Sequence, residues 1–108
     1  MALAVSDPRS NVVRIGDVRP NPWNPNQQTP FIYEKELNSV KKFGMAQPLI
    51  VRENKGYEII NGEQRWKAAK ELGLKLVPIY NLGRISDDRA KELTILFNEI
   101  HGEADQDG

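Results

Sequence analysis

A chain of 108 residues, 39% hydrophobic and 28% charged, has material for one domain with one modest core. It has no cysteine, which excludes disulfides, thiolate catalysis and cysteine-type zinc sites, and no apolar run or leader of the kind that predicts a membrane span or secretory signal. Fifteen Lys+Arg balance fifteen Asp+Glu, so the basic excess behind sequence-independent DNA binding is missing, and a nucleic-acid role needs a local patch or a neighbouring domain.

Residues 1–10 show no period and are expected to form a disordered leader before a domain over 11–103. Asn11-Val12-Val13-Arg14-Ile15 predicts a short strand, followed by Gly16-Asp17. The segment from Arg19 to Pro30 contains four prolines, which fix φ and remove donors, so an ordered, extended loop is expected. Tyr33 to Phe43 reads as a helix with Tyr33, Leu37 and Val40 on one face, stopped by Gly44. Pro48 to Val51 predicts a strand, Asn54-Lys55-Gly56 a turn, and Tyr57 to Ile60 the returning hairpin partner. A second helix is expected from Glu63 to Leu72, stopped by Gly73. Leu76 to Tyr80 predicts a further strand, placed at a sheet edge because of Pro78. Ser86 caps a last helix with Asp87 and Asp88 in its first turn and Ala90, Leu93, Phe97 and Ile100 as its buried face. Residues 104–108 are expected to be a frayed tail.

Chemistry concentrates where a strand turns into a helix, at Asn61-Gly62-Glu63-Gln64-Arg65. Gly62 permits a sharp turn and close approach of a ligand to the backbone. The first N–H groups of the helix lack internal partners and carry partial positive charge, an arrangement that binds anions. Arg65 lies in the first turn, where a guanidinium can fork onto phosphate oxygens, and Asn61 and Gln64 add neutral donors. The bland alternative has Gly62 as a turn residue, Glu63 favouring the helix dipole and Arg65 paired with a neighbouring carboxylate; spacing alone favours it. Trp66, Ala69 and Leu72 share a face, so Trp66 is assigned to the core.

Five segments in order resemble the ParB N-terminal domain family: Pro20-Asn21-Pro22-Trp23-Asn24-Pro25-Asn26, Phe43 to Arg52 with its Gln47-Pro48, Tyr57 to Ala68 with its Gly62-Glu63-Gln64-Arg65, Val77-Pro78-Ile79, and Ile95 to Ile100. The resemblance implies an α+β, ParB/sulfiredoxin-like fold, a small mixed sheet flanked by helices. It also implies a cytoplasmic nucleotide-binding module or slow NTPase that works with DNA, with a nucleoside triphosphate, CTP as the guess, bound at Gln47, Asn61, Gly62, Glu63, Gln64 and Arg65. Mg²⁺ would come with the nucleotide, helped by Asn98 and Glu99, and a homodimer is an implied partner state. Short versions occur in phage and prophage genomes, and such an origin is expected here. The chain departs from the family pattern at Gln64, where the first of two arginines is expected, at Asn26, and at Asn98-Glu99, where the order is reversed.

Rival functions stay open at this point. A metal-dependent ParB-like nuclease needs clustered carboxylates, and Glu53, Glu58, Glu63, Glu99 and Glu103 are scattered along the sequence. A small-molecule kinase would need Glu63 as its base. A non-enzymatic adaptor of the same fold fits the neutral charge. The sulfiredoxin reaction needs a cysteine and is excluded, and a helix-turn-helix DNA reader is not found in this chain. His101, the sole histidine, and Trp23 and Tyr80 as stacking platforms are weaker candidates than their structural roles.

Overall fold

The computed structural model describes residues 8–23 and 30–107, and the side chains among these up to residue 97. In chain order, β1 (Ser10–Arg14), a 3-10 turn (Ile15–Asp17) and β2 (Val18–Arg19) precede α1 (Pro30–Phe43). The hairpin β3 (Leu49–Glu53) and β4 (Tyr57–Asn61) follows, then α2 (Glu63–Glu71), β5 (Leu76–Asn81) and α3 (Asp87–Asp107). The strands form one mixed sheet in the order β1-β5-β3-β4-β2. β1–β5 and β3–β4 pair antiparallel, whereas β3–β5 and β2–β4 pair parallel. This is the α+β architecture that the resemblance implies.

Strand alternation sorts the side chains onto two faces. Leu49, Val51, Ile59, Val77 and Ile79 join Val18 and the α2 residues Trp66 and Ala69 in one apolar cluster. Leu49, Val51 and Val77 are fully buried, each worth roughly 1.5–3 kcal/mol of transfer free energy. Arg52, Glu58 and Ile60, in the alternate positions, are buried as well. Trp66 is therefore a core residue, as its spacing indicates.

Local signals set most boundaries. α1 begins at Pro30, three residues before the expected start, because proline is well suited to a first helical turn. It stops where Gly44 takes φ +74° and its N–H donates to the Val40 carbonyl at 2.7 Å. Gly73 ends α2 in the same left-handed conformation. The Tyr33 hydroxyl donates to Glu71 at 2.6 Å and joins α1 to α2; that bond, with some burial and the carboxylate charge, pushes its pKa up to about 12. The Ser86 hydroxyl accepts from the Arg89 N–H at 3.1 Å and caps α3.

Three expectations are corrected. β5 is an interior strand between β1 and β3, so Pro78 does not mark an edge. The Asn81 N–H donates to the Arg9 carbonyl, so alternation points the amide position of Pro78 away from β1, towards β3. The β3 ladder begins one residue later, at the Leu49–Ile79 pair, so the missing donor costs no ladder bond. β2 was not foreseen, because two residues carry no period. On α3, Ala90 and Thr94 are buried and Leu93 and Phe97 are half-buried; the side chain of Ile100 lies outside the described residues.

The burial of Thr94 follows from Asn21. The amide nitrogen of Asn21 donates to the Ile59 carbonyl at 2.7 Å and to the Thr94 hydroxyl at 2.9 Å, and its oxygen accepts from the Trp23 N–H. Thr94 in turn donates to the Ala90 carbonyl. One buried amide thus ties the proline-rich segment to β4 and α3. Replacing Asn21 by Ala should lower unfolding free energy by about 1–3 kcal/mol, measured by denaturant titration, because it removes three hydrogen bonds of one buried amide.

Candidate functional site

β4 ends at Asn61, opposite Ile50 and beside a register shift in β3, and the chain then turns at Gly62 with φ +112°. Two demands converge on this glycine. The left-handed conformation disfavours any side chain. A Cβ would also stand 2.7 Å from Leu49 Cδ2 and 2.9 Å from Arg65 Nη2. The guanidinium of Arg65 therefore lies against the bare backbone of the turn. Gly62 supplies no side-chain cap to α2, and its carbonyl accepts the Trp66 N–H at 3.0 Å to open the helical ladder. The N-terminal end of α2 presents its positive dipole at this point.

Arg65 is the unusual group. Its Nη2 donates to the Pro48 carbonyl at 3.2 Å, and its Nε is buried with no hydrogen-bond partner among the described residues. Burial lowers its pKa, against the opposing field of Glu36. Among the described residues no carboxylate stands within ion-pair distance of it, so the bland alternative, an arginine paired with a neighbouring acid, is not what the fold contains. A desolvated cation without a counter-charge is costly, and an anion bound at the turn would provide one.

The other sequence candidates are distributed around this group. Gln47 is exposed in the connection two residues ahead of β3, and Asn61 is half-buried where β4 ends. Glu63 opens α2 with its carboxylate 3.5 Å from Lys67, one turn on. Gln64 is buried. The six thus sit around one end of the β3–β4 pair, with Gln64 turned into the protein. The side chains of Asn98 and Glu99, and of His101, lie outside the described residues. Among the described residues no three Asp, Glu, His or Cys side chains gather as a metal site. Trp23 and Tyr80 are half-buried.

The opposite end of the same strands holds an ionic cluster that the sequence reading missed. Arg52, 3% exposed, contacts Glu58 through Nε and Nη2 at 2.7 Å each. Its Nη2 reaches Asp87 at 2.8 Å, its Nη1 donates to the Ile85 carbonyl at 3.0 Å, and its guanidinium lies 5.3 Å from the Trp23 ring centroid. Burial alone would lower the Arg52 pKa, but the bonds to Asp87 and Glu58 outweigh it and raise it. Arg19 donates to the carbonyls of Asn54 and Lys55 and lies 3.8 Å from Glu58. Arg19, Arg52, Asn54, Lys55, Ile85 and Asp87 line an open cleft of about 900 Å³. Its buried charges are mutually satisfied, which marks a structural cluster. A signal existed: the predicted hairpin around Asn54-Lys55-Gly56 puts Arg52 directly opposite Glu58, an opposite-charge cross-strand pair.

The model of the ParB N-terminal domain family matches residues 2–98. Stage 0 sporulation protein J of Bacillus subtilis is 41% identical over 88 residues, covering 80% of this chain and 31% of that protein. The chain thus spans about a third of that relative's length. A C-terminally truncated chromosome-partitioning protein ParB from Caulobacter crescentus, complexed with CTP-gamma-S, superposes with a TM-score of 0.70 at 33% identity, over 82% of this chain and 52% of that one. The same protein complexed to the centromeric parS site gives a TM-score of 0.63 at 31% identity, over 82% of this chain and 46% of that one. Sulfiredoxin from Arabidopsis thaliana, at 17% identity, shares the fold with a TM-score of 0.60 over 82% of this chain and 98% of that one.

The two arginines at the two ends of the hairpin should respond oppositely to substitution. Arg65→Met should leave thermal stability unchanged or raise it, because it removes a partly desolvated charge that has no acid partner among the described residues. Arg52→Met should destabilise by about 3 kcal/mol, because it removes the close partner of buried Glu58 and leaves it only Arg19 at 3.8 Å. Parallel thermal and urea melts of the two variants check this contrast.

Proposed function

The chain belongs to the ParB N-terminal domain family, and from that premise we propose that it is a nucleotide-binding module serving DNA transactions, with CTP as its first candidate ligand. The phosphates sit at the turn from Gly62 to Arg65, against the N-terminal N–H groups of α2 and the guanidinium of Arg65. Asn61 and Gln47 border the site and orient the rest of the nucleotide. The observation that carries this reading is half-buried Arg65, whose buried Nε has no hydrogen-bond partner and which has no acid partner among the described residues, laid against Gly62, where a Cβ would stand 2.9 Å from its Nη2. The CTP-gamma-S complex of the Caulobacter relative supports the choice of nucleotide, and its parS complex supports the DNA connection.

Mg²⁺ enters with the nucleotide. The phosphates provide oxygen ligands, the usual arrangement for this ion, and Asn98 and Glu99 are the side chains proposed to complete its shell. Self-association into a homodimer and slow hydrolysis belong to the same proposal. The nuclease alternative is weaker, since metal-dependent phosphodiester cleavage calls for clustered carboxylates and none gather among the described residues. With a formal net charge of zero, DNA is assigned to the assembly in which the domain works rather than to a basic face of its own.

Calorimetric titration with CTP, ATP, GTP and UTP in Mg²⁺ tests the reading. One saturable isotherm is expected, CTP first, weakened about tenfold or more by Arg65→Ala through loss of a charge-assisted contact. Absence of heat with all four nucleotides would contradict it and leave the non-enzymatic adaptor as the better account.

A further inference from the structure

β1 is an edge strand, and among the described residues it pairs with β5 alone. The bonds that flank this pairing, from the Asn81 N–H to the Arg9 carbonyl and from the Ile15 N–H to the Lys75 carbonyl, fix its phase. Odd-numbered residues of β1 turn their backbone groups towards β5, so alternation turns the N–H and carbonyl groups of Ser10 and Val12 outward. The Val12 N–H is covered by the side-chain oxygen of its neighbour Asn11 at 2.8 Å. A single exposed bond of this kind contributes little net free energy, and an incoming strand can replace it.

Side chains add selectivity to the open edge. Val12 stands opposite Pro78, and Pro48 precedes the Leu49–Ile79 pair by one residue. The three therefore form a row across the sheet, on the face away from Leu49, Val77 and Ile79. With Met45 and Ala46 they line an open pocket of about 440 Å³. Val12 is 58% exposed, and Leu76, on the same face of β5, is 57% exposed. The charges around this edge are mostly basic: Arg9 and Arg14 at the two ends of β1, Lys75 just ahead of β5, and Lys41 and Lys42 in the last turn of α1. Asp17 is paired with Arg14 at 3.4 Å, an exposed contact that holds neither firmly.

We propose that the β1 edge docks an extended peptide of a partner protein, apolar at alternate positions and acidic at the others, as a sixth strand. Its backbone bonds to Ser10 and Val12, an apolar side chain enters the pocket beside Val12 and Pro78, and its acids meet the basic rim. A second copy of this chain is a poorer occupant, because pairing two β1 strands crowds the same basic side chains together.

The test is fluorescence anisotropy of a labelled peptide, Glu-Val-Glu-Val-Glu-Val-Glu, titrated with the 108-residue chain beside its lysine counterpart, Lys-Val-Lys-Val-Lys-Val-Lys. Amide shifts of ¹⁵N-labelled protein locate the contact. The acidic peptide should bind saturably, about fivefold or more tighter than the lysine one, with shifts from Ser10 to Arg14. Val12→Pro, tolerated at an edge because this N–H faces outward, should weaken binding about fivefold or more. Asn11→Ala should strengthen it about twofold or more by uncovering the Val12 N–H. Arg14→Glu should weaken it even if Val12→Pro does not fold. No saturable binding of the acidic peptide below about 1 mM, equal binding of the two peptides, or shifts that leave β1 silent would overturn the proposal. So would a dimer of the peptide-free protein whose β1 amides shift on dilution, which would make a second copy the occupant.

Discussion

The arrangement depends on the missing Cβ of residue 62. The start of β3 and the end of β4 come so close that a side chain there would meet Leu49 on one side and the Arg65 guanidinium on the other. The same residue must adopt φ +112° to send the chain from β4 into α2. Only glycine meets both demands without strain. Its absent side chain lets a charged group lie against the backbone, brings an uncapped helix end to the same spot, and brings both beside the loop carrying Gln47 and Pro48. The end of β4, the start of α2 and the candidate ligand site meet in one contact region.

The β3–β4 hairpin has two charged ends of opposite character. At the turn end, Arg65 is partly desolvated, bonded to the Pro48 carbonyl and without an acid partner among the described residues. At the other, Arg52 is buried among Glu58, Asp87, the Ile85 carbonyl and the Trp23 ring, with Arg19 alongside. Both arginines are buried to some degree, so burial alone does not separate function from scaffold. Partner inventory does, because a satisfied ionic cluster fastens strands and loops together while an incomplete one retains capacity for a ligand. The satisfied end borders an open cleft of about 900 Å³, and its arginine is already held by acids, which makes it the less suitable place for a phosphate.

The sequence exposed those features whose causes are local. The hairpin was legible from Asn54-Lys55-Gly56, and Gly44 and Gly73 marked helix ends through their left-handed geometry. The Gly62–Arg65 turn was legible as a strand-to-helix junction, and recognition of the family ordered the elements correctly. What stayed hidden depends on partners remote in the chain. Asn21 looks like one more loop asparagine until Ile59 and Thr94 are beside it. Pro78 suggests an edge until the register shows that its amide position precedes the β3 ladder. β2 is two residues long and is recognisable only through its pairing with Tyr57 and Glu58. The state of Arg65 was equally hidden, since spacing could not tell an arginine paired with an acid from one without.

The most direct measurement is a nuclear magnetic resonance titration of ¹⁵N-labelled protein with CTP and Mg²⁺, following the backbone amides together with the arginine Nε–H signals. The account predicts saturable shifts at the amides of Gly62, Glu63, Gln64 and Arg65 and at the Arg65 Nε–H, with the Arg52 signal unmoved. Shifts confined to the cleft lined by Arg19, Lys55 and Arg84, with the turn silent, would contradict it.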